Sequence, residues 1–329
     1  MASRLRRVAR HVTGQAVTAP VAFGPPDGPA EGDELALLEE VLEYNTPQIT
    51  NVVATYPAQK TNLGLYNPWL TNWYCDNTMK CCFPEHGRKC GYAVTCIWGP
   101  PRDGFDRVSW IDVLKALEVN RANGRPSALI IKQDFPEEYA NKVGLVGGNM
   151  ANAMKVLGVV GCISDGPIRD LDEVTAFCPL PPPALSRRLS LWPVSSELTR
   201  GSVFYRSHTL ALSVLSLCLC LYCPQLRELG MHFHSMGTSA GHGEFGVYAV
   251  NTPVHVCGMD VAPGELVHMD ENGVCKFPAD KLDAVVDNCK ELQGEEDITL
   301  ANVKEATNFR ELMNAMSGRT PYDDGPKKK

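Results

Sequence analysis

The sequence lacks net positive charge, and this absence limits the partners that the protein can bind. The 329 residues include 31 Lys and Arg against 38 Asp and Glu, which gives a net charge of −7. Because a phosphate backbone is bound by clustered positive charge, this balance argues against a general nucleic-acid-binding protein. An acidic chain suits a protein that binds cations, although this indication is weak.

Long apolar runs are also missing. The apolar stretch Leu210–Cys223 spans 14 residues and includes two serines. A membrane-spanning helix needs about 20 consecutive apolar residues, so this stretch is too short. The sequence therefore predicts no contact with a membrane.

Cysteines are present, but they do not form a recognisable framework. The chain has 13, an odd number scattered over its length, which is unlike the paired cysteines of small secreted proteins. The cluster Cys75, Cys81, Cys82 and Cys90 contains no Cys-x2-Cys spacing of the kind that zinc sites use. We therefore expect free thiols and a reducing compartment.

Two familiar catalytic patterns are absent as well. The glycines between Gly144 and Gly148 do not form the Gly-x-Gly-x-x-Gly fingerprint of dinucleotide-binding proteins. No convincing Ser/His/Asp or Cys/His arrangement for nucleophilic catalysis is found. Neither absence favours a dinucleotide-dependent enzyme or an enzyme with a Ser or Cys nucleophile.

The ends of the chain differ from its middle. The first 26 residues carry four arginines and no acidic residue before Asp27, which is typical of a mitochondrial transit peptide and equally of a disordered basic tail. We predict a basic leader and linker over 1–33, a C-terminal tail over 301–329, and a mitochondrial or cytoplasmic location.

Helical and strand-like patterns are intermixed between these ends, which predicts an α/β protein. The predicted strands include Tyr92–Trp98, Ser127–Lys132, Val159–Ser164, Pro253–Cys257, Leu266–Met269 and Val274–Phe277. The predicted helices are Glu34–Tyr44, Trp110–Arg121, Asn149–Leu157 and Lys281–Leu292. For the helix Asn149–Leu157 we predict Asn149 as the N-cap and Gly158 as the stop.

One segment, 174–225, differs abruptly in composition from its surroundings. It is rich in Leu, Ser, Pro and Cys, residues that pyrimidine-rich codons supply, and it ends in Pro-Gln. This composition is typical of a translated intron, and the alternative is a genuine loop insertion. Joining Glu173 directly to Leu226 would restore the start of one continuous helix.

The most informative motif combines a glycine loop with a charged pair. Gly147-Gly148-Asn149-Met150 opens a helix, and Arg169-Asp170 follows the next strand, with Glu173 three residues later. A helix N-terminus offers backbone N–H groups to an anion, and glycine permits close approach of a ligand. Asp170 can bind a hard cation, and Arg169 can bind a carboxylate or an enolate oxygen. The simplest alternative is a surface ion pair.

These residues and their spacing resemble the RraA / 4-hydroxy-4-methyl-2-oxoglutarate aldolase family. A second stretch, from Pro253 to Pro278, is similar to the family as well, so that the resemblance covers about 35–173 and 226–295. It implies a single α/β domain with the swivelling β/β/α fold over 34–173 and 226–300, interrupted by an irregular insertion. It also implies homotrimers or hexamers with active sites between subunits.

The resemblance further implies a divalent-metal-dependent lyase that cleaves a C–C bond of a small 2-oxo acid and releases pyruvate. In this reading the loop Gly147, Gly148, Asn149 and Met150 binds the substrate carboxylate, and Arg169 binds substrate and stabilises the enolate. Asp170 ligates the metal, most simply Mg2+ with Mn2+ as an alternative, and Glu173 acts on the metal through a water.

One departure from the family bears on the reaction. The aldolase branch has Asp where this chain has Gly148, which favours oxaloacetate decarboxylation or a related reaction over aldol cleavage. The alternative function is a non-catalytic regulator, because one branch of the family binds and inhibits a ribonuclease.

Other polar residues allow competing predictions. His232 and His234 alternate along a strand and could form a transition-metal triad with His242, although such histidines are more often packed or hydrogen-bonded. Asp165 and Glu265 are candidates for a supporting role behind the site or, more simply, for turn residues.

Overall fold

The computed structural model describes residues 28–56, 61–101, 108–171 and 226–317. The basic leader through residue 27, Glu173, the predicted insertion 174–225 and the end of the chain from 318 lie outside these described residues. What the sequence predicts for these residues therefore stays a prediction.

The core of the fold is a mixed eight-stranded sheet with a separate two-stranded hairpin. Within the described residues the strands are β1 (Lys80–Cys81), β2 (Lys89–Gly99), β3 (Ser127–Gln133), β4 (Val159–Ser164), β5 (His232–Ser235), β6 (Gly246–Val250), β7 (Val254–Val256), β8 (Met259–Val261), β9 (Leu266–Asp270) and β10 (Gly273–Phe277).

The sheet has a parallel centre and antiparallel edges. Its order is β1-β5-β4-β3-β2-β9-β10, and β6 pairs with the end of β2. The strands β2, β3, β4 and β5 run parallel, whereas β1, β6, β9 and β10 pair antiparallel to their neighbours. The α/β class predicted from the sequence is confirmed, and the sequence-predicted strands coincide with β2, β3, β4, β7, β9 and β10.

Helices cover the sheet and connect its parallel strands. The described α-helices are α1 (Gly32–Glu40), α2 (Thr46–Val53), α3 (Trp110–Ala122), α4 (Glu137–Ala140), α5 (Gly148–Val156), α6 (Leu282–Glu305) and α7 (Phe309–Met316). A parallel connection needs a crossover, and α3 supplies it between β2 and β3, while α4 and α5 lie between β3 and β4. The helix α6 continues past residue 301, where the sequence analysis placed the start of a tail.

Alternate residues of β2 pack into different core clusters, as the two-residue period of a strand requires. Val94, Cys96 and Trp98 pack with α3 and α5, whereas Ala93 and Ile97 pack with the β7–β8 hairpin. A third cluster holds α1, α2 and α6 against β9 and β10. Both faces of the sheet are therefore covered, which explains why its central strands have apolar residues at nearly every position.

A part-buried ion pair attaches the first described helix to the sheet. Arg125, which is 3% exposed, donates from Nε and Nη2 to the two carboxylate oxygens of Glu34 at 2.7 and 3.0 Å. The hydroxyl of Tyr92 on β2 donates to the same carboxylate. The bidentate geometry fixes α1 against the start of β2 and β3.

The described residues on either side of 172–225 lie next to each other. Leu226 N donates to Asp170 O, and Arg227 N donates to Leu171 O, both at 3.4 Å. If 174–225 were absent, each of these bonds would join a residue to the fourth residue before it, which is the pattern of an α-helix. A short 3-10 helix, Leu226–Leu229, follows and ends at Gly230, whose φ is 64°.

Candidate functional site

Asp170 lies at the carboxyl-terminal edge of the parallel strands, shortly after β4, in a backbone conformation that few residues adopt. Its φ is 63°, in the left-handed region, where Asp and Asn are tolerated better than most residues. Its Oδ2 accepts a hydrogen bond from Gly148 N at 3.1 Å. The carboxylate therefore binds the N-terminus of α5, where a negative charge is stabilised by the helix dipole.

This carboxylate explains why the residue before α5 is a glycine. A Cβ atom on Gly147 would lie 2.5 Å from Asp170 Oδ2 and 3.4 Å from Arg169 Cγ. Contacts below 3.0 Å are essentially never seen for real Cβ atoms, so any side chain at Gly147 would displace the carboxylate. The glycine loop and the Arg-Asp pair thus form one unit.

Arg169 completes this unit. Its Nε donates to Asp170 Oδ1 at 2.9 Å, and the two side chains are 32% and 31% exposed. Its backbone N donates to Val146 O at 2.9 Å, which holds the pair beside the glycine loop. We call Gly147, Gly148, Arg169 and Asp170 the Asp170 site.

Three loops hold the Asp170 site together through backbone hydrogen bonds. Leu145 N donates to Pro167 O at 2.9 Å, and Ile168 N donates to Gly237 O at 3.0 Å. Gly144 N donates to Gly241 O, also at 3.0 Å. The loops after β4 and β5 and the loop before α5 therefore meet at one edge of the sheet, where ligands of open α/β sheets commonly bind.

The structure brings together some of the predicted site residues and corrects one prediction. Asn149 is not the N-cap of α5: Gly147 occupies that position, and Asn149 is an exposed residue of the first turn. The side chain that accepts a hydrogen bond at this helix N-terminus is Asp170, which lies 22 residues after Gly148 in the sequence. Met150 is half-buried and packs against the core.

The donor set at Asp170 fits a hard cation. An ionised carboxylate offers about four acceptor positions, so the two hydrogen bonds from Gly148 and Arg169 leave capacity for a metal ion. Mg2+ typically keeps several waters and binds through one or two carboxylates, which a partly exposed aspartate permits. Arg169 beside it supplies positive charge for an anionic ligand.

A second group of chemically capable side chains lies along β5. His232 and His234 point to the same side of β5, and Cys81 on β1 is the direct cross-strand neighbour of His234. One ligand atom from each of these three residues lies within 4.8 Å of the others, and Cys81 Sγ is 3.7 Å from His232 Nδ1. We call these three residues the Cys–His cluster.

The histidines of this cluster are buried and neutral. Burial lowers the pKa of His232, and burial together with the neighbouring His232 lowers the pKa of His234 to about 4. Burial raises the pKa of the half-buried Cys81 thiol to about 11. Each side chain is therefore uncharged near neutral pH while no cation is bound.

The histidine triad predicted from the sequence is corrected in one member. His232 and His234 do lie together, but the third residue of the group is Cys81, whereas His242 is exposed in the loop after β5. Cys81 could not be found from spacing alone, because it lies 151 residues before His232. Only the pairing of β1 with β5 brings it there.

The two other acidic candidates have structural partners. Asp165 is buried, forms an ion pair with Lys132 and accepts a hydrogen bond from Gln133 N at 2.6 Å. Glu265 accepts from Ala262 N at 2.7 Å within a turn and pairs with the buried Lys276 at 2.6 Å. These contacts give Glu265 the predicted turn role and make Asp165 a link between the ends of β3 and β4.

Comparison with known proteins supports the fold. No protein-family profile matches the chain, and no curated protein matches it in sequence. An uncharacterized protein from Pseudomonas syringae is 14% identical, with a TM-score of 0.53 over 92% of this chain and 99% of its own. A structure described as novel cellulases from microbes of the gut ecosystem is 14% identical, with a TM-score of 0.52 over 89% of this chain and 95% of its own.

A third solved structure belongs to the family that the motifs resemble. RraAS2 of Streptomyces coelicolor, described as an unusual member of the RNase ES inhibitor RraA protein family, is 16% identical. Its TM-score is 0.48 over 83% of this chain and 98% of its own. At 14% identity the first two likenesses concern the fold alone. In the part of the chain that the structure describes, no helix has the length and apolar character needed to cross a membrane.

Proposed function

We propose that this protein is a divalent-metal-dependent lyase that cleaves a C–C bond of a 2-oxo acid and releases pyruvate. The reaction is oxaloacetate decarboxylation, 4-hydroxy-4-methyl-2-oxoglutarate aldol cleavage, or both. The observation that carries this proposal is the left-handed conformation of Asp170, which holds its carboxylate at the N-terminus of α5 beside Arg169. Strained backbone of this kind is concentrated at functional sites.

The chain's own groups can bind and orient a 2-oxo acid. The first turn of α5 presents backbone N–H groups toward the edge of the sheet, and the substrate carboxylate would bind there. The planar guanidinium of Arg169 offers parallel N–H donors to the 2-oxo oxygen and to the carboxylate.

Asp170 would hold the cation, with Mg2+ as the first choice, Mn2+ as the alternative and Glu173 acting through a water. When bound, a divalent cation supplies Lewis-acid polarisation of the 2-oxo group. Arg169 stabilises the negative charge that develops on the 2-oxo oxygen as the bond from C3 to the carboxyl carbon of oxaloacetate breaks. CO2 leaves, and C3 takes up a proton to give pyruvate.

Gly148 favours decarboxylation over aldol cleavage. Aldol cleavage needs a base that removes a proton from the substrate hydroxyl, a role that a metal-bound water would fill, and a glycine cannot orient that water as an Asp would. Decarboxylation needs no such base, because CO2 leaves with no proton to remove. We therefore expect oxaloacetate to be the better substrate.

The test is pyruvate release from oxaloacetate with Mg2+ and with EDTA, corrected for the reaction of Mg2+ without protein. Arg169→Lys keeps the charge but loses the planar fork, and we expect kcat/KM to fall at least about 10-fold, or about 1.4 kcal/mol. Arg121→Lys is the matched control, because Arg121 forms an exposed pair with Glu118 on α3, away from the Asp170 site.

Wild-type rates in both variants would show that Arg169 forms only a surface ion pair. Absence of any metal-dependent pyruvate release from the wild-type protein would reject the lyase. The non-catalytic regulator would then be the better interpretation.

A further inference from the structure

The Cys–His cluster combines donors of a kind that does not suit Mg2+. It offers one sulfur and two imidazole nitrogens, a set that prefers zinc and other transition metals over hard cations. The Asp170 site offers carboxylate oxygen instead. The two groups therefore belong to different metal chemistries.

Hydrogen bonds at the far side of each ring fix which nitrogen faces the cluster. His232 Nε2 donates to Gly87 O, and His234 Nε2 donates to Asp270 O at 3.0 Å. A carbonyl oxygen can only accept, so in both neutral rings the proton is on Nε2 and the lone pair is on Nδ1. Metal-binding histidines are typically held in this way, with the second ring nitrogen bonded to a backbone carbonyl or a carboxylate.

A second observation points independently to a missing partner. His234 is buried, and its Nδ1 has no hydrogen-bond partner among the described residues. Buried polar atoms are nearly always paired, because burial removes the water that would otherwise bind them. An ion at the cluster would provide the partner.

The spacing of the donors suits tetrahedral coordination. With Zn–S near 2.3 Å and Zn–N near 2.0 Å, a sulfur and a nitrogen on one zinc lie about 3.5 Å apart. Cys81 Sγ and His232 Nδ1 lie 3.7 Å apart. The distance between these two donors therefore already suits one ion, and a ligand atom of His234 lies within 4.8 Å of both side chains.

We propose that Cys81, His232 and His234 bind a zinc ion, through the Cys81 sulfur and the Nδ1 atoms of both histidines. Cys81 binds as the thiolate, so binding transfers its proton to solvent. Three protein ligands leave a fourth tetrahedral position for water or another small ligand. Cys81 is half-buried, which gives the ion a route from solvent.

The binding test uses the full-length protein, stripped with a chelator and then given Zn2+ in competition with a chromophoric chelator. We expect about one zinc per chain by elemental analysis. His234→Gln places an amide nitrogen where Nε2 lies and keeps the bond to Asp270, but it removes Nδ1. We expect this variant and Cys81→Ser to bind zinc at least about 10-fold more weakly.

Cys82→Ser is the matched control. Its Sγ lies beside Ser235 Oγ at 3.7 Å, so it is a neighbouring half-buried thiol outside the cluster. We expect its zinc affinity to equal that of the wild-type protein. Unchanged affinity in Cys81→Ser, or equal losses in Cys81→Ser and Cys82→Ser, would overturn the proposal.

Cobalt gives a second readout, which reports the kind of ligand that binds the metal. Co2+ bound to the wild-type protein and to Cys82→Ser should show the thiolate-to-cobalt charge-transfer band and the visible bands of tetrahedral Co2+. The charge-transfer band should be absent in Cys81→Ser. A wild-type protein that binds neither zinc nor cobalt would mean that Cys81 and His232 share only a hydrogen bond, and the proposal would fail.

Discussion

The Asp170 site and the Cys–His cluster lie along neighbouring strands, yet they are built in opposite ways. The Asp170 site stands on loops, its charged side chains are about one-third exposed, and its donors are oxygen and backbone N–H. The Cys–His cluster stands on paired strands, its histidines are buried, and its donors are nitrogen and sulfur. An open carboxylate suits a substrate and a cation that exchange, whereas a buried soft site suits an ion that stays.

The first prediction concerns a substitution within the Asp170 site. In Gly147→Ala the new Cβ displaces the Asp170 carboxylate, since the two would lie 2.5 Å apart. Misplacement of a catalytic group by about 1 Å can cost about 100-fold in rate, and we expect a loss of that order in metal-dependent pyruvate release.

The control for this substitution is Gly294→Ala. Gly294 lies exposed within α6 with no atom near its would-be Cβ, so alanine should stabilise the protein by about 1 kcal/mol and leave the rate unchanged. Equal rates of pyruvate release in Gly147→Ala and Gly294→Ala would show that the glycine loop takes no part in the reaction.

The next prediction concerns His268, a buried histidine near the Cys–His cluster. Burial lowers the pKa of His268 to about 4, and its Nδ1 lies 3.0 Å from Thr46 Oγ1. The folded protein therefore resists protonation of His268, whereas the unfolded chain takes up the proton near pH 6.5. The stability gained from the neutral ring is complete above pH 6.5 and is lost as the pH falls from 6.5 toward 4.

The free energy of unfolding in urea, measured at pH 7.5 and 5 with a chelator present, checks this prediction. We expect the wild-type protein to lose about 2 kcal/mol more than His268→Asn, because each pKa unit corresponds to 1.36 kcal/mol. His268→Asn keeps a group close to the position of Nδ1. Parallel pH profiles for the two proteins would show that His268 does not titrate in this way.

The sequence indicated the proximity of the residues of the Asp170 site better than that of the cluster, for a physical reason. Gly147, Gly148, Arg169 and Asp170 belong to consecutive elements around β4, so a local motif contains the whole unit. The carboxylate that caps α5 was nevertheless missed, because the nearby Asn149 is a good capping residue in isolation. In the folded protein, Asp170 caps α5 because the tertiary fold brings its carboxylate to Gly148 N.

The cluster depends on contacts that no local pattern encodes. Cys81 lies on a strand of two residues, and its partners come much later in the chain. The alternation of His232 and His234 indicated a shared face, but the third member depended on the pairing of β1 with β5. In contrast, the parallel strands followed from their apolar runs, since burial on both faces requires such runs.

The smallest predicted effect concerns the segment 174–225, which separates Asp170 from β5 in the sequence. Because Leu226 N bonds to Asp170 O across 174–225, deleting Val174–Gln225 should leave a continuous helix start behind Asp170. Loop closure costs about 0.6 kcal/mol for each doubling of loop length, so we expect a gain of about 1–2 kcal/mol in stability. Pyruvate release and solubility should also increase.

Thermal unfolding of the deletion variant checks the gain, and sequencing of the transcript should find the segment absent from most messages. The insertion hypothesis fails if the deletion variant unfolds while the full chain is stable and active. The segment would then be a structural part of the protein.

The central claim is that Asp170 acts in chemistry as well as capping α5, and one paired measurement tests it. Asp112 caps α3 through Ser109 N at 2.8 Å, far along the chain from the Asp170 site, so Asp112→Ala removes a comparable cap. We predict that Asp170→Ala abolishes Mg2+-dependent pyruvate release from oxaloacetate, whereas Asp112→Ala keeps it, with both proteins folded by circular dichroism. Unchanged release in a folded Asp170→Ala protein would contradict the assignment and leave Asp170 as a helix cap alone.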